Sequence, residues 1–162
     1  MKEQRPLTPD YFLLRLDAPE VAGAARPGQF VHVRVPGLDD ASLRRPFSVY
    51  DAADGCLSVI YKTVGRGTAQ LARLAIGDAV PVIGPLGNGF PLDNGGRAPL
   101  AVAGGYGVAP LSFLARRIGR AGVLLAGARG AADLLCLDDF QNAGWEVRVA
   151  TQDGSRGARG LV

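Results

Sequence analysis

Residues 44–50 read RRPFSVY and set a group that can hold phosphate next to a hydroxyl that can address a flat ring. Pro46 fixes its own φ and cannot donate to a ladder, so it belongs at the start or on the edge of a strand. Phe47, Val49 and Tyr50 favour a strand running on from it. Arg45 precedes the proline and is therefore biased to an extended backbone, from which its guanidinium can project. That fork suits a phosphate or pyrophosphate through paired charge-assisted hydrogen bonds. Ser48 shares a strand face with Pro46, with Phe47 on the other face, and its hydroxyl can bond an edge atom of a ring lying against the sheet. Taken alone, the same residues also describe a strand with a solvated arginine pair at its mouth.

A second cluster, GRGT at 65–68, has the composition of an anion cradle. Gly65 and Gly67 let the backbone pass close to a ligand. Thr68 can cap a short helix whose apolar Leu71, Leu74 and Ala75 fall at i, i+3 and i+4, with its first N–H groups toward an anion. A plain turn accounts for the same residues. Since the loop follows a strand that would pair beside 44–50, a shared pyrophosphate site is the other reading. A third cluster, GGYGVAP at 104–110, follows the apolar run PLAVA at 99–103. It is not the GxGxxG fingerprint and no acidic residue stands at the usual offset. Glycines after the first strand of an open sheet still allow a dinucleotide to approach the carboxyl end; taken alone, these residues are accounted for by a tight strand-to-helix turn. His32, the one histidine, is assigned no role.

The elements that must position these clusters fall into two patterns. Strands are expected at 11–16, 27–35, 44–50, 56–64 and 79–83, with turns at 51–55 and at GPLGNGF, 84–90. Short strands at this spacing suggest a barrel or sandwich. The stretch 93–97, DNGGR, has linker composition and places the boundary between domains 1–96 and 97–162. Beyond it, 99–103 reads as a strand buried on both faces. A helix follows to about Arg120, with Pro110 in its first turn and Leu111, Leu114, Ala115 and Ile118 on one face. A strand at 123–127, a helix at 131–142 and an edge strand at 145–150 complete half of a doubly wound α/β sheet.

Composition narrows the function classes. The chain has 162 residues, 48% hydrophobic and 20% charged, with 23 glycines and 11 prolines, ordinary for a globular protein with many tight turns. The net charge of +3 is carried mainly by scattered arginines. Mild basicity fits phosphorylated cofactors, and the clustered patch of a nucleic-acid groove is missing. Cys56 and Cys136 stand in isolated contexts, giving neither a disulfide framework nor a metal site, so a reducing, cytoplasmic setting is expected. Residues 1–20 carry charges throughout and predict no secretory leader. No apolar run reaches the ~18 residues of a membrane span.

The order RPFS, IYK, GRGT, GPLGNGF, AGGYGVAPL, TQDGSRGARG resembles ferredoxin-reductase-like flavoproteins along essentially the whole chain. Within them it is most similar to the electron-transfer subunits of class B dihydroorotate dehydrogenases, and the GPLGNGF turn points to that subfamily. The resemblance implies β + α/β architecture: an antiparallel Greek-key barrel that binds FAD, then a doubly wound domain that receives NADH or NADPH. It implies Arg45, Pro46, Phe47 and Ser48 around the flavin and its phosphates, with Ser48 near the reactive ring nitrogen. Ile60, Tyr61 and Lys62 would line the ring or ribityl chain, Gly67 and Thr68 the pyrophosphate, and Gly104, Gly105 and Gly107 the nicotinamide nucleotide. The chemistry implied is hydride uptake from NAD(P)H and onward transfer to a catalytic dihydroorotate dehydrogenase partner in a hetero-oligomer serving pyrimidine biosynthesis. Neither nucleic acid nor membrane is implied as a partner. Relatives of this type continue with more of the nucleotide domain and a two-iron, two-sulfur cluster. Such clusters are held by four cysteines, which Cys56 and Cys136 cannot supply, so a truncated nucleotide domain with a bare edge at Leu100 and Val102 is expected. A related subunit of the NADP transhydrogenase or sulfide dehydrogenase type, and a barrel that binds FAD without activity of its own, are the other readings.

Overall fold

The computed structural model describes residues 1–38, 43–93 and 95–162, and strands dominate the first of its two units, Met1–Gly89. In chain order these are β1 (Glu3–Pro6), β2 (Tyr11–Asp17), β3 (Phe30–Val33), β4 (Arg45–Ala53), β5 (Cys56–Lys62) and β6 (Val82–Leu86). Two six-residue helices, α1 (Pro19–Ala24) and α2 (Arg66–Leu71), interrupt them. The strands form one antiparallel sheet in the order β1-β2-β5-β4-β3-β6. Three consecutive strands, β3, β4 and β5, lie side by side and β2 returns beside β5, which is a Greek-key order.

Register explains the core. Leu14, Val59 and Val49 stand opposite one another across β2, β5 and β4, and Leu16 stands opposite Leu57. These residues, with Val31, Val33 and Tyr61, share one face of the sheet, and all are buried together with Leu71 of α2. Each such side chain stabilises by roughly 1.5–3 kcal/mol on burial. On β4 the alternation is visible residue by residue: Arg45 and Phe47 turn to the core face and are half-buried, while Pro46 and Ser48 are exposed on the other.

Several boundaries differ from the sequence expectation. β4 runs on to Ala53, and the turn expected at 51–55 shrinks to Asp54–Gly55, both at positive φ, the Asp-Gly signature of a tight hairpin. The strand expected at 79–83 lies instead at Val82–Leu86 and absorbs the first residues of the glycine-rich turn, which bends at Gly87 with φ 77°. β1 was not expected: its charged, proline-ended sequence is that of an edge strand.

The second unit, Phe90–Val162, alternates strand and helix. It runs β7 (Leu100–Gly104), α3 (Val108–Arg117), β8 (Val123–Ala128), α4 (Leu137–Asn142), β9 (Glu146–Thr151) and the two-residue β10 (Ala158–Arg159). The sheet is parallel in the order β10-β9-β8-β7. β7 is not buried on both faces: Ala101 and Ala103 are covered, whereas Leu100 is 66% and Val102 53% exposed. β7 is the sheet edge, and the edge expected at β9 belongs to β10. The helix expected over 131–142 breaks into a single 3-10 turn, Ala131–Asp133, and α4, because Cys136 adopts a left-handed backbone with φ 59°. α3 starts two residues before Pro110, and its largest fully buried side chain is Phe113, while Leu111 and Ile118 are only half-buried. Among the described residues no helix is long and apolar enough to cross a membrane.

Candidate functional site

Arg45, Val64, Gly65, Arg66, Gly67 and Thr68 line a cavity of about 380 Å³ in the first unit. Two of the six are cationic and none is acidic, which suits an anion. The loop holding them is fixed from within. The Thr68 hydroxyl accepts the N–H groups of Val64 at 2.9 Å and Gly65 at 3.2 Å, and donates to the Gly65 carbonyl at 3.1 Å. Gly65 is the N-cap of α2 and Thr68 stands three residues inside it, which corrects the expectation that Thr68 caps the helix. At 8% exposure and with its hydroxyl engaged three times, Thr68 shapes the loop. Gly65 is extended, exposed, and a Cβ there would meet nothing within 4 Å. Bare backbone therefore faces open space in a cavity lined by Arg45 and Arg66, with room for an anion.

The remaining first-unit residues split between the sheet's two faces. Phe47 lies on the core face, its ring 5.6 Å from that of Tyr61. Tyr61 is 2% exposed, stacks on Phe12 at 5.6 Å and donates its hydroxyl to Gln4 Oε1 at 3.2 Å. Burial pushes its phenol well above the usual tyrosine range. Tyr61 thus touches Phe47 from inside the core. Ile60 is buried, and Lys62 lies 3.6 Å from Asp10 and over the Tyr11 ring at 5.0 Å. Ser48 is exposed opposite Phe30 on β3, and among the described residues its hydroxyl has no hydrogen-bond partner. Arg45, Gly67 and Thr68 are therefore brought together, Phe47 and Tyr61 form a second pair, and Ser48 stands on the opposite face of β4.

In the second unit, Gly104, Gly105 and Gly107 close the carboxyl end of β7. Gly105 has φ 53°, and a Cβ on Gly104 or Gly107 would meet nothing within 4 Å. The carboxyl ends of parallel strands are where ligands bind in open α/β sheets. Sequence reasoning assigned no role to the loop after β9, whose TQDGSRG composition signals a side-chain-bonded turn. The Asp153 carboxylate accepts the Ser155 hydroxyl at 2.6 Å and its N–H at 2.9 Å, and Ser155 Oγ accepts the Ala131 N–H at 2.8 Å. This ties the loops after β8 and β9 to each other. The Ser155 hydroxyl first, then its N–H, hold the Asp153 carboxyl below the usual aspartate range. A depressed folded-state pKa contributes stability above the unfolded value and loses it as pH falls through the lowered one. Ser155→Ala is expected to return Asp153 toward an ordinary aspartate, read by NMR titration of its side-chain carboxyl; an unmoved titration contradicts the assignment.

Comparison with known proteins follows the same division. The oxidoreductase FAD-binding domain family matches residues 1–90. The chain is 39% identical over 161 residues to the electron transfer subunit of dihydroorotate dehydrogenase B (NAD(+)) from Desulforamulus reducens, covering 96% of this chain and 62% of that one. It is 42% identical over 166 residues to the protein of the same name from Bacillus caldolyticus, covering 98% and 64%. It thus spans less than two thirds of the length of these curated relatives. Among solved structures, that of an NADH-dependent reduced ferredoxin-NADP oxidoreductase superposes with a TM-score of 0.85 at 32% identity, over 98% of this chain and 58% of that one. The ferredoxin reductase in carbazole 1,9a-dioxygenase gives 0.82 at 26% identity, over 98% and 52%.

Proposed function

Because the chain belongs to the oxidoreductase FAD-binding domain family over residues 1–90, we propose that it is the FAD-holding electron-transfer part of an NAD(P)H-dependent oxidoreductase. Its type is the electron-transfer subunit of a class B dihydroorotate dehydrogenase, working beside a catalytic partner subunit in the cytoplasm. The observation that carries the reading is the cavity of Arg45, Arg66 and bare Gly65 backbone, cationic and with no lining carboxylate among the described residues. Arg45 holds the cofactor's pyrophosphate, and Thr68 keeps the Val64–Gly65 backbone in place for it. Phe47, backed by Tyr61, and the hydroxyl of Ser48 address the flavin, while Ile60 and Lys62 support the neighbouring strand. Gly104, Gly105 and Gly107 leave the end of β7 open to the nicotinamide nucleotide. Bound flavin would supply the redox chemistry, taking up a hydride and releasing electrons one at a time; the chain binds, orients and shields it. Names of the relatives support the dihydroorotate reading, and the likeness to a ferredoxin-NADP oxidoreductase favours a ferredoxin-linked acceptor as the second one.

The test is anaerobic mixing of the FAD-loaded chain with NADH in a stopped-flow spectrometer, followed by addition of orotate with a catalytic subunit or of ferredoxin. Bleaching by NADH and recovery with the first acceptor is the expected result. Recovery only with ferredoxin selects the second reading, and no bleaching by NADH or NADPH overturns the electron-transfer role. Ser48→Ala is expected to slow bleaching more than it weakens FAD binding; an unchanged rate contradicts its placement at the ring.

A further inference from the structure

We propose that Phe30 is a flavin contact, the aromatic wall against which the cofactor's ring lies beside Ser48. The proposal rests on the reading of Ser48 as the hydroxyl that addresses the ring, and it names the side chain that gives the ring an apolar surface. Phe30 of β3 stands directly opposite Ser48 of β4 and opposite Leu86 of β6. Residues paired across antiparallel strands share a face, with Cβ atoms about 4.5–5.5 Å apart. On β3 the core face belongs to Val31 and Val33, both fully buried, while Phe30 is half-buried on the other. A flat ring that Ser48 can reach is therefore within reach of the Phe30 ring as well.

The turn after β6 holds Phe30 in that place. A Cβ on Gly87 would lie 3.0 Å from Phe30 Cε1 and 3.3 Å from Cδ1, so the aromatic ring rests against a bare α-carbon. The Gly87 carbonyl accepts the Gln29 side-chain amide at 2.9 Å, and the Gln29 carbonyl accepts the Val49 N–H at 3.0 Å. Gly89 is bare where the chain leading into β3 presses on it: its Cβ would lie 3.1 Å from Arg26 Cβ and 3.2 Å from the Pro27 carbonyl oxygen. Glycine permits both approaches. On the far side the His32 ring flanks Phe30, with centroids 5.5 Å apart. The glycine-rich turn, to which the Arg45 cavity gives no part, thus becomes the back of a ring site. Phe30 there binds the ring and excludes water from it; it moves no proton.

Isothermal titration of the flavin-free chain with FAD and with ADP-ribose, which carries adenylate and pyrophosphate but no flavin, separates the ring from the rest of the cofactor. Removing an aromatic partner from a stacked heteroaromatic ring corresponds to roughly 5- to 150-fold in affinity. Phe30→Ala is expected to weaken FAD within that range and to change ADP-ribose by less than about twofold. Phe30→Tyr keeps the ring and should restore most of the FAD affinity. Phe30→Leu keeps an apolar side chain on Gly87; with a melting temperature near wild type it should still lose FAD selectively. Equal losses of FAD and ADP-ribose, or no loss of FAD in the alanine and leucine variants, overturn the proposal, and the Ser48 reading stands where Ser48→Ala still slows bleaching. A wild-type chain that does not take up FAD overturns that reading, and the proposal falls with it.

Discussion

Arg45→Ala is expected to weaken FAD binding by roughly 10- to 150-fold with little change in folding stability. Hydrogen bonds to charged groups contribute about 1.5–3 kcal/mol, and each 1.4 kcal/mol is about a factor of ten. Arg45 lies at the first position of β4, half-buried, against Gly67, so its loss empties the cavity of one of two cations without opening the apolar core. Arg45→Lys keeps the charge but not the planar fork and should recover only part of the affinity. Isothermal titration of flavin-free chain with FAD checks both. A variant that binds FAD like wild type would show that the pyrophosphate rests elsewhere.

The largest stability effect is expected at Tyr61. It is 2% exposed, stacked on Phe12 and in contact with Phe47, and removing a buried aromatic side chain costs about 3–5 kcal/mol. That is a large fraction of the roughly 5–15 kcal/mol by which domains are stable. Tyr61→Phe keeps the ring stack and loses only the hydrogen bond to Gln4, a loss of about 0.5–1.5 kcal/mol. Urea midpoints should rank wild type, Tyr61→Phe and Tyr61→Ala in that order, with FAD affinity retained in the phenylalanine variant. If Tyr61→Phe lost FAD while keeping its midpoint, the hydroxyl would be a cofactor contact and its placement in the core would be contradicted.

These two residues also show how far local sequence reaches. Arg45 was legible because proline and alternation are local rules: Pro46 sets the backbone before it, and period two sends Arg45 and Phe47 to one face and Ser48 to the other. Tyr61 was grouped with Ile60 and Lys62 through the family resemblance, yet its neighbours are decided by register, which pairs it with Phe12 of β2. Register depends on a strand some fifty residues earlier in the chain, and no window around IYK carries it. Thr68 failed differently. Its type is right for a cap, but the extended Gly65 took that position, and the hydroxyl turned back to the loop. In the second unit the strand-helix alternation was readable from hydrophobic runs; the apolar run 99–103 by itself reads as covered on both faces, and it was the resemblance, with its missing neighbouring strands, that pointed to the bare edge at which Leu100 and Val102 are exposed. The tie between Asp153, Ser155 and Ala131 joins two loops far apart in sequence, and no window around TQDGSRG carries its partner in the loop after β8.

The central claim is that this chain carries FAD in the cavity built on Arg45. Its most direct test is the absorption spectrum of the purified protein, repeated after stripping and adding back FAD, with Arg45→Ala alongside. Flavin bands stoichiometric with protein, restored on addition and lost in the variant, are the predicted result. A colourless chain that refuses added FAD would contradict the claim and leave an antiparallel sheet without a cofactor.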